Sequence, residues 1–303
     1  MRVYEIPEGS KASKGRAIQN LINIENDDKV KAFICTKDLK DEEYINNHFV
    51  IMATKQGQVK KTPLEQYSRP RQNGINAITI REDDELIGAK LTTGNSQVLI
   101  AVKSGKLVRF EESKTRPMGR TASGVRGITL ADEKDEVIGM VAIDEKEVNE
   151  TQILVVTENG YGKRTKVVDD DGEDVYRITN RGGKGVRTIN ITEKTGALVG
   201  LLAVEKTDDL MITCKSGMTI RMKVRNIREA GRATQGVKLI NLDNNDEIAA
   251  LASIDEQEED EVIELDENGE PIVAAETEET TGFIAPEGTE TTEASEEEAP
   301  TEE

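Results

Sequence analysis

An all-β body of repeated four-stranded units, arranged around an axis like the blades of a ring, is the fold this sequence predicts. Three recurrences carry that expectation. A strand–turn–strand anchor appears as VIMATKQGQVKKT, VLIAVKSGKLVRF, ILVVTENGYGKRT and LMITCKSGMTIRM, with the turn glycine at Gly57, Gly105, Gly160 and Gly217. A second anchor follows each one as NGINAITI, SGVRGITL, KGVRTINI and QGVKLINL, with glycine at Gly74, Gly124, Gly185 and Gly236. An acidic turn and an apolar run then close the unit: DDELIGAKL, KDEVIGMVAI, KTGALVGLLAV and NDEIAALASI.

The first anchor reads as a β-hairpin, because two β-rich runs flank a short glycine-containing turn. The second reads as a short strand opened by its glycine. The apolar run has the length of a strand, and its glycines and β-branched neighbours favour strand over buried helix. A unit of roughly 50 residues that cannot bury its own face must stack on its neighbours, which points to blades around an axis. The complete units span about 48–95, 96–145, 151–206 and 208–254. A partial one, about 1–36, shows SKGRAIQNLI and DDKVKAFICT but no first hairpin strand, so the chain reads as a fragment of a longer protein.

Charge divides the chain in two. The formal charge of −19 is concentrated at the carboxyl end, where residues 254–303 hold 21 acidic residues and no Lys or Arg. Positions 1–253 are left nearly neutral, with 38 acidic and 40 basic residues. Rich in Glu, Thr, Ala and Pro, the tail 255–303 is expected to be disordered, with Val262, Ile263 and Leu265 as an apolar cluster suited to a short docking strand.

Several chemistries are excluded. No apolar run approaches the roughly 18 residues of a membrane span, and MRVYEIPEGS is no signal peptide, so a cytoplasmic protein without a membrane partner is expected. Cys35 and Cys214 are far apart and His48 is the sole histidine, which leaves no metal cluster and no nucleophile–base pair. ITNRGGKG, Ile178–Gly185, lacks the first glycine and the Ser/Thr of a P-loop, and Thr188 stands where a dinucleotide fingerprint needs glycine.

The cations are placed regularly. The loops between hairpin and second anchor read SRPRQNG, RPMGRTASG, ITNRGGKG and REAGRATQG, with SKASKG in the partial unit. They contribute Arg69, Arg71, Arg116, Arg120, Arg181, Lys184, Arg228, Arg232, Lys14 and, just beyond it, Arg16; the second anchors add Arg126 and Arg187. The hairpins add Lys60, Lys61, Arg109, Lys163, Arg164, Arg221 and Lys223. Equivalent loops of a ring emerge on equivalent sides, so these residues are expected to form a basic rim. With few aromatics and no Asn/Gln array, such a rim suits duplex phosphates rather than exposed bases. A protein scaffold that meets an acidic partner is the rival reading.

Tyr161–Thr165 (YGKRT), Ala122–Ile128 and Gly231–Val237 together resemble the repeats of the C-terminal domain of the DNA gyrase A subunit, and the likeness runs from residue 1 to about 254. The resemblance implies a β-pinwheel, a propeller-like ring with strand exchange between blades, that wraps duplex DNA for negative supercoiling by a type IIA topoisomerase. It also implies that Arg181, Gly182, Gly183, Lys184 and Gly185 take the wrapping role of the family's basic box, although TNRGGKG lacks the box's leading Gln and one Arg and lies in a later blade. The related topoisomerase IV domain, which has no reliable box, is the near alternative. No catalytic residue or cofactor is implied for this chain; ATP and Mg serve elsewhere in a parent complex of two A and two B subunits. The acidic tail is expected to compete with DNA for the rim.

Overall fold

The computed structural model describes residues 3–254 apart from 11, 12, 14, 23, 25–27, 72, 73 and 243–245. The expectations for the tail and for Lys14 lie outside the described residues. Four antiparallel hairpins stand where the first anchor recurs: β1 (Phe49–Thr54) with β2 (Gln58–Pro63), β4 (Ser96–Val102) with β5 (Lys106–Glu111), β8 (Gln152–Thr157) with β9 (Tyr161–Lys166), and β12 (Asp209–Cys214) with β13 (Thr219–Lys223). The apolar runs form β3 (Leu86–Thr92), β7 (Val137–Asp144), β11 (Leu198–Val204) and β15 (Ile248–Ile254), each paired with the first strand of its own hairpin. These four strands pack side by side from sheet to sheet and line the inside of the arrangement.

The second anchors form β6 (Val125–Arg126), β10 (Val186–Arg187) and β14 (Val237–Lys238), and each joins the sheet of the preceding unit. The strand orders are β3-β1-β2-β6, β10-β5-β4-β7 and β11-β8-β9-β14, while the last sheet is β13-β12-β15. This exchange, which periodicity alone does not reveal, makes the fold a pinwheel in which each of the first three sheets is finished by its neighbour. It also puts the exchanged strands at the outer edge, opposite the inner strands.

Both faces of the middle sheets are buried, which explains why their strands are continuously apolar rather than alternating. In β4, Val98 and Ile100 join Ile51, Val59 and Phe110 in the core beside the first sheet, whereas Leu99 and Ala101 join Ile153, Val155 and Leu198 toward the third. Leu154 and Val156 meet Leu210 and Ile212 in the next layer. The far face of the first sheet is covered by Ala32, Ile34 and Leu39 and by a helix, α1 (Glu42–Asn47), whose amino end Asp41 caps by accepting from the Glu43 and Tyr44 amides. His48 ends this helix, with Nδ1 2.7 Å from the Tyr44 carbonyl oxygen.

Two expected strands do not form. Residues 28–36 and 74–80 carry the right pattern, yet both lie outside regular secondary structure. Each would pair with a hairpin strand of the partial unit, but none of the described residues 3–24 forms a strand, and a segment without a ladder partner has no reason to be regular.

Candidate nucleic-acid interface

The cations of the hairpins and those of the loops have different fates. Lys61, Arg109 and Arg164, four residues after the turn glycine, lie against the following repeat. The Lys61 ammonium is 2.9 Å from the Glu112 carboxylate and 4.0 Å from the centre of the Phe49 ring. Arg109 donates to Gln97 on its own hairpin, and to Asp174 and the Tyr176 carbonyl of the next unit, both at 2.7 Å. Arg164 donates to Gln152 at 2.8 Å and to the Ile227 carbonyl at 2.6 Å, with Glu229 at 4.0 Å.

Lys60 and Lys163 stand one residue earlier. The first donates to the carbonyls of Ala77 and Arg120, both at 2.5 Å; the second donates to Gly231 O at 2.5 Å and Thr234 Oγ1 at 3.1 Å. Burial, helped by Arg120 in the case of Lys60, pulls both ammonium groups down to about 8. All five side chains are buried. The expected exposure of these five on a rim does not hold: the loop of the next repeat folds over the strand that bears them and converts them into clasps between blades.

The loop and anchor cations remain outside. Arg16, Arg69, Arg71, Arg116, Arg126, Lys184, Arg187, Arg228 and Arg232 are exposed, and Arg120 is half-buried with its guanidinium on the Asn76 carbonyl. Arg181 is half-buried as well, held by the carbonyls of Lys114 (2.9 Å) and Arg126 (3.3 Å) of the preceding repeat. Gly182 N donates to Gly127 O at 2.6 Å and Thr129 N donates to Gly183 O at 2.9 Å, so the RGGKG segment is anchored to the blade before it and leaves Lys184 free to face solvent. Arg221 is exposed and bonded to Asp209 of its own hairpin, and Lys223 is half-buried.

The exchanged strands share one pattern, a half-buried valine followed by an exposed cation: Val125–Arg126, Val186–Arg187 and Val237–Lys238. Lys238 is a functional candidate that sequence reasoning passed over, although its place two residues after the anchor glycine matches Arg126 and Arg187. The glycine that precedes each pair is required by the contact. At Gly185 φ is +71°, and a Cβ there would sit 2.6 Å from the Leu107 carbonyl oxygen; Gly124 meets Val59 O and Gly236 meets Gly162 O in the same way.

One acidic cavity stands apart from the cations. A cavity of about 570 Å³ at the ends of β7 and β11 is lined by Glu147, Glu205 and Asp208 together with Thr and apolar residues, and by no Lys or Arg.

Known proteins share this organisation. The family model described as "DNA gyrase C-terminal domain, beta-propeller" matches residues 1–37, 48–93, 97–144, 151–205 and 208–255. The chain is 46% identical over 264 residues to the DNA gyrase A subunit of Staphylococcus aureus strain NCTC 8325, covering 87% of this chain and 28% of that protein. With the protein of strain MRSA252 it shares 45% identity over 273 residues, 89% of this chain and 29% of the relative. Among solved structures, a C-terminal domain of DNA topoisomerase IV superposes with a TM-score of 0.71 at 22% identity, covering 84% of this chain and 74% of the other. A DNA gyrase A C-terminal domain superposes with a TM-score of 0.68 at 23% identity, covering 84% and 77%.

Proposed function

Because the chain belongs to the DNA gyrase C-terminal domain family, we propose that its outer edge binds and wraps duplex DNA without reading sequence, and so supports ATP-dependent negative supercoiling as part of the gyrase A subunit. The observation that carries this reading is the outward cation repeated on three successive exchanged strands, Arg126, Arg187 and Lys238. Lys184, Arg116, Arg228 and Arg232 flank that row from the loops.

Cations spaced along a curved edge neutralise phosphates of a bent duplex and release its counterions, while the cost of bending is set by DNA deformability rather than by base contacts. The clasped blades hold the row in place. Since the chain spans under a third of the gyrase proteins it matches, strand cleavage, ATP hydrolysis, Mg use and assembly with two B subunits and a second A subunit are assigned to the parent protein, in the cytoplasm with the nucleoid.

Sealing a nicked circular duplex with ligase in the presence of the protein tests the reading. Wrapping predicts a change in linking number that grows with bound protein and fades as salt rises. Binding to polyglutamate with no change in linking number would favour an acidic protein partner instead.

A further inference from the structure

Each cation of the outer row has a different neighbour on the hairpin strand that it pairs with. Arg126 is opposite Gln58, Arg187 is opposite Lys106, and Lys238 is opposite Tyr161. Residues directly opposite in an antiparallel pair point to one face of the sheet, with Cβ atoms about 5 Å apart. At the first boundary the neighbour is neutral, the buried amide side chain of Gln58. At the second it repeats the charge, so that half-buried Lys106 and exposed Arg187 stand side by side. Like charges in this position are destabilising, and among the described residues no carboxylate comes within ion-pair reach of either cation. Anionic groups laid across the pair remove that cost.

The third boundary reaches the same arrangement by another route. Backbone bonds align the turns: the amides of Lys55, Lys103 and Lys215 donate to the carbonyls of Glu85, Glu136 and Glu247, and in the third unit the Glu158 amide donates to Ala197 O, all at 2.8 Å. The turn lysines are neutralised, Lys55 and Lys103 by Glu136 at 2.9 and 3.4 Å and Lys215 by Glu247 at 2.6 Å. In the third unit Glu158 and Ala197 stand in those two columns, and the Glu158 carboxylate accepts from the Ala197 amide at 3.0 Å. The cation of this turn is Lys194. Its ammonium lies 5.5 Å from the centre of the ring of Tyr161, the residue opposite Lys238. A ring face holds a cation in place without neutralising it. Lys194 and Lys238 are both exposed, and among the described residues neither has a carboxylate partner.

We propose that Lys106 and Lys194 are phosphate-binding residues of the outer edge, each taking the backbone phosphate next to the one taken by Arg187 or Lys238, so that two cations grip the duplex at each of these boundaries. The inference rests on the reading of that edge as a duplex-binding surface and adds two residues to it. Two unpaired cations side by side call for two anionic groups in succession, which a phosphodiester chain supplies. Neither lysine belongs to the RGGKG segment or to an exchanged strand.

Duplex binding by the full chain across a salt series tests this against a matched control. Lys106→Gln/Lys194→Gln should flatten the log–log salt slope by about 1.8 units, the share of two phosphate contacts. Its thermal midpoint should not fall, because the repulsion between Lys106 and Arg187 is relieved. Lys55→Gln/Lys103→Gln removes the same net charge from cations already paired with Glu136, and should keep the parent's slope. Equal flattening by the two double variants would mean a response to net charge alone and overturn the proposal. A Lys106→Gln/Lys194→Gln chain that keeps the parent's slope would also overturn it, while leaving wrapping by the parent intact. A lowered midpoint in that chain would assign the two lysines to the fold instead. A parent that changes neither linking number nor affinity with salt would overturn the duplex reading, and this proposal with it.

Discussion

Lys61 and Glu112 meet across a repeat boundary, the ammonium 2.9 Å from the carboxylate, with side chains 6% and 0% exposed. Glu112 also accepts from the Thr92 hydroxyl and the Ser96 amide, so one carboxylate ties β4 of its own unit to β2 and β3 of the unit before. Replacing it by Ala leaves a buried cation and two donors unpaired. Glu112→Ala should lower unfolding stability by about 3–5 kcal/mol, measured by urea denaturation. The exposed pair Lys114–Glu111 is the control, and Lys114→Ala should cost no more than about 1 kcal/mol.

The anchor glycines separate by what they touch. Gly185→Ala drives a methyl group into the Leu107 carbonyl at a positive φ, whereas at Gly74, with φ +76°, nothing lies within 4 Å of where that methyl group would stand. Gly74→Ala should cost only the backbone strain of about 1 kcal/mol, and Gly185→Ala distinctly more, with the difference read as a lower thermal midpoint.

Much of the fold was legible because a hairpin is a local object: alternating strand residues and a turn glycine lie within a dozen positions of one another. Strand exchange is not local. Nothing in GVR distinguishes a strand that pairs within its unit from one that pairs with the unit before. The same gap explains the site. Lys163 and Arg164 lie in YGKRTK, which reads as a surface strand, and only the neighbouring loop that folds over it makes them interior. Conversely, Lys238 lay in plain view at the position of Arg126 and Arg187, and comparing the anchors column by column finds it.

Lys60 and Lys163 link stability to pH. Their ammonium groups are lowered to about 8 in the fold against an ordinary 10.5, so between these values the unfolded chain binds more protons than the folded one. Stability contributed through these groups therefore rises with pH across that window and is lowest below it. Burial raises Cys214, Tyr67 and Tyr176 and opposes the trend at the alkaline end, so the difference between parent and variant is the informative quantity. Near pH 9 the parent should take up more protons on unfolding than Lys60→Met/Lys163→Met does, by close to two. Equal proton uptake would mean that both lysines stay charged in the fold.

Buried and exposed cations should also part in function. Arg109→Ala is expected to act on stability, since its guanidinium joins Gln97, Asp174 and Tyr176. Lys184→Ala should leave the unfolding midpoint unchanged and reduce the log–log salt slope of duplex binding by about 0.9, the share of one phosphate contact.

The row formed by Arg126, Arg187 and Lys238 is the centre of the account, and the salt dependence of duplex binding by Arg126→Ala/Arg187→Ala/Lys238→Ala tests it most directly. Removing three phosphate-neutralising cations should flatten the slope by about 2.7 units and weaken binding alike for unrelated duplex sequences, with the thermal midpoint unchanged. A triple variant that keeps the parent's slope and affinity would contradict the assignment of the outer edge to DNA.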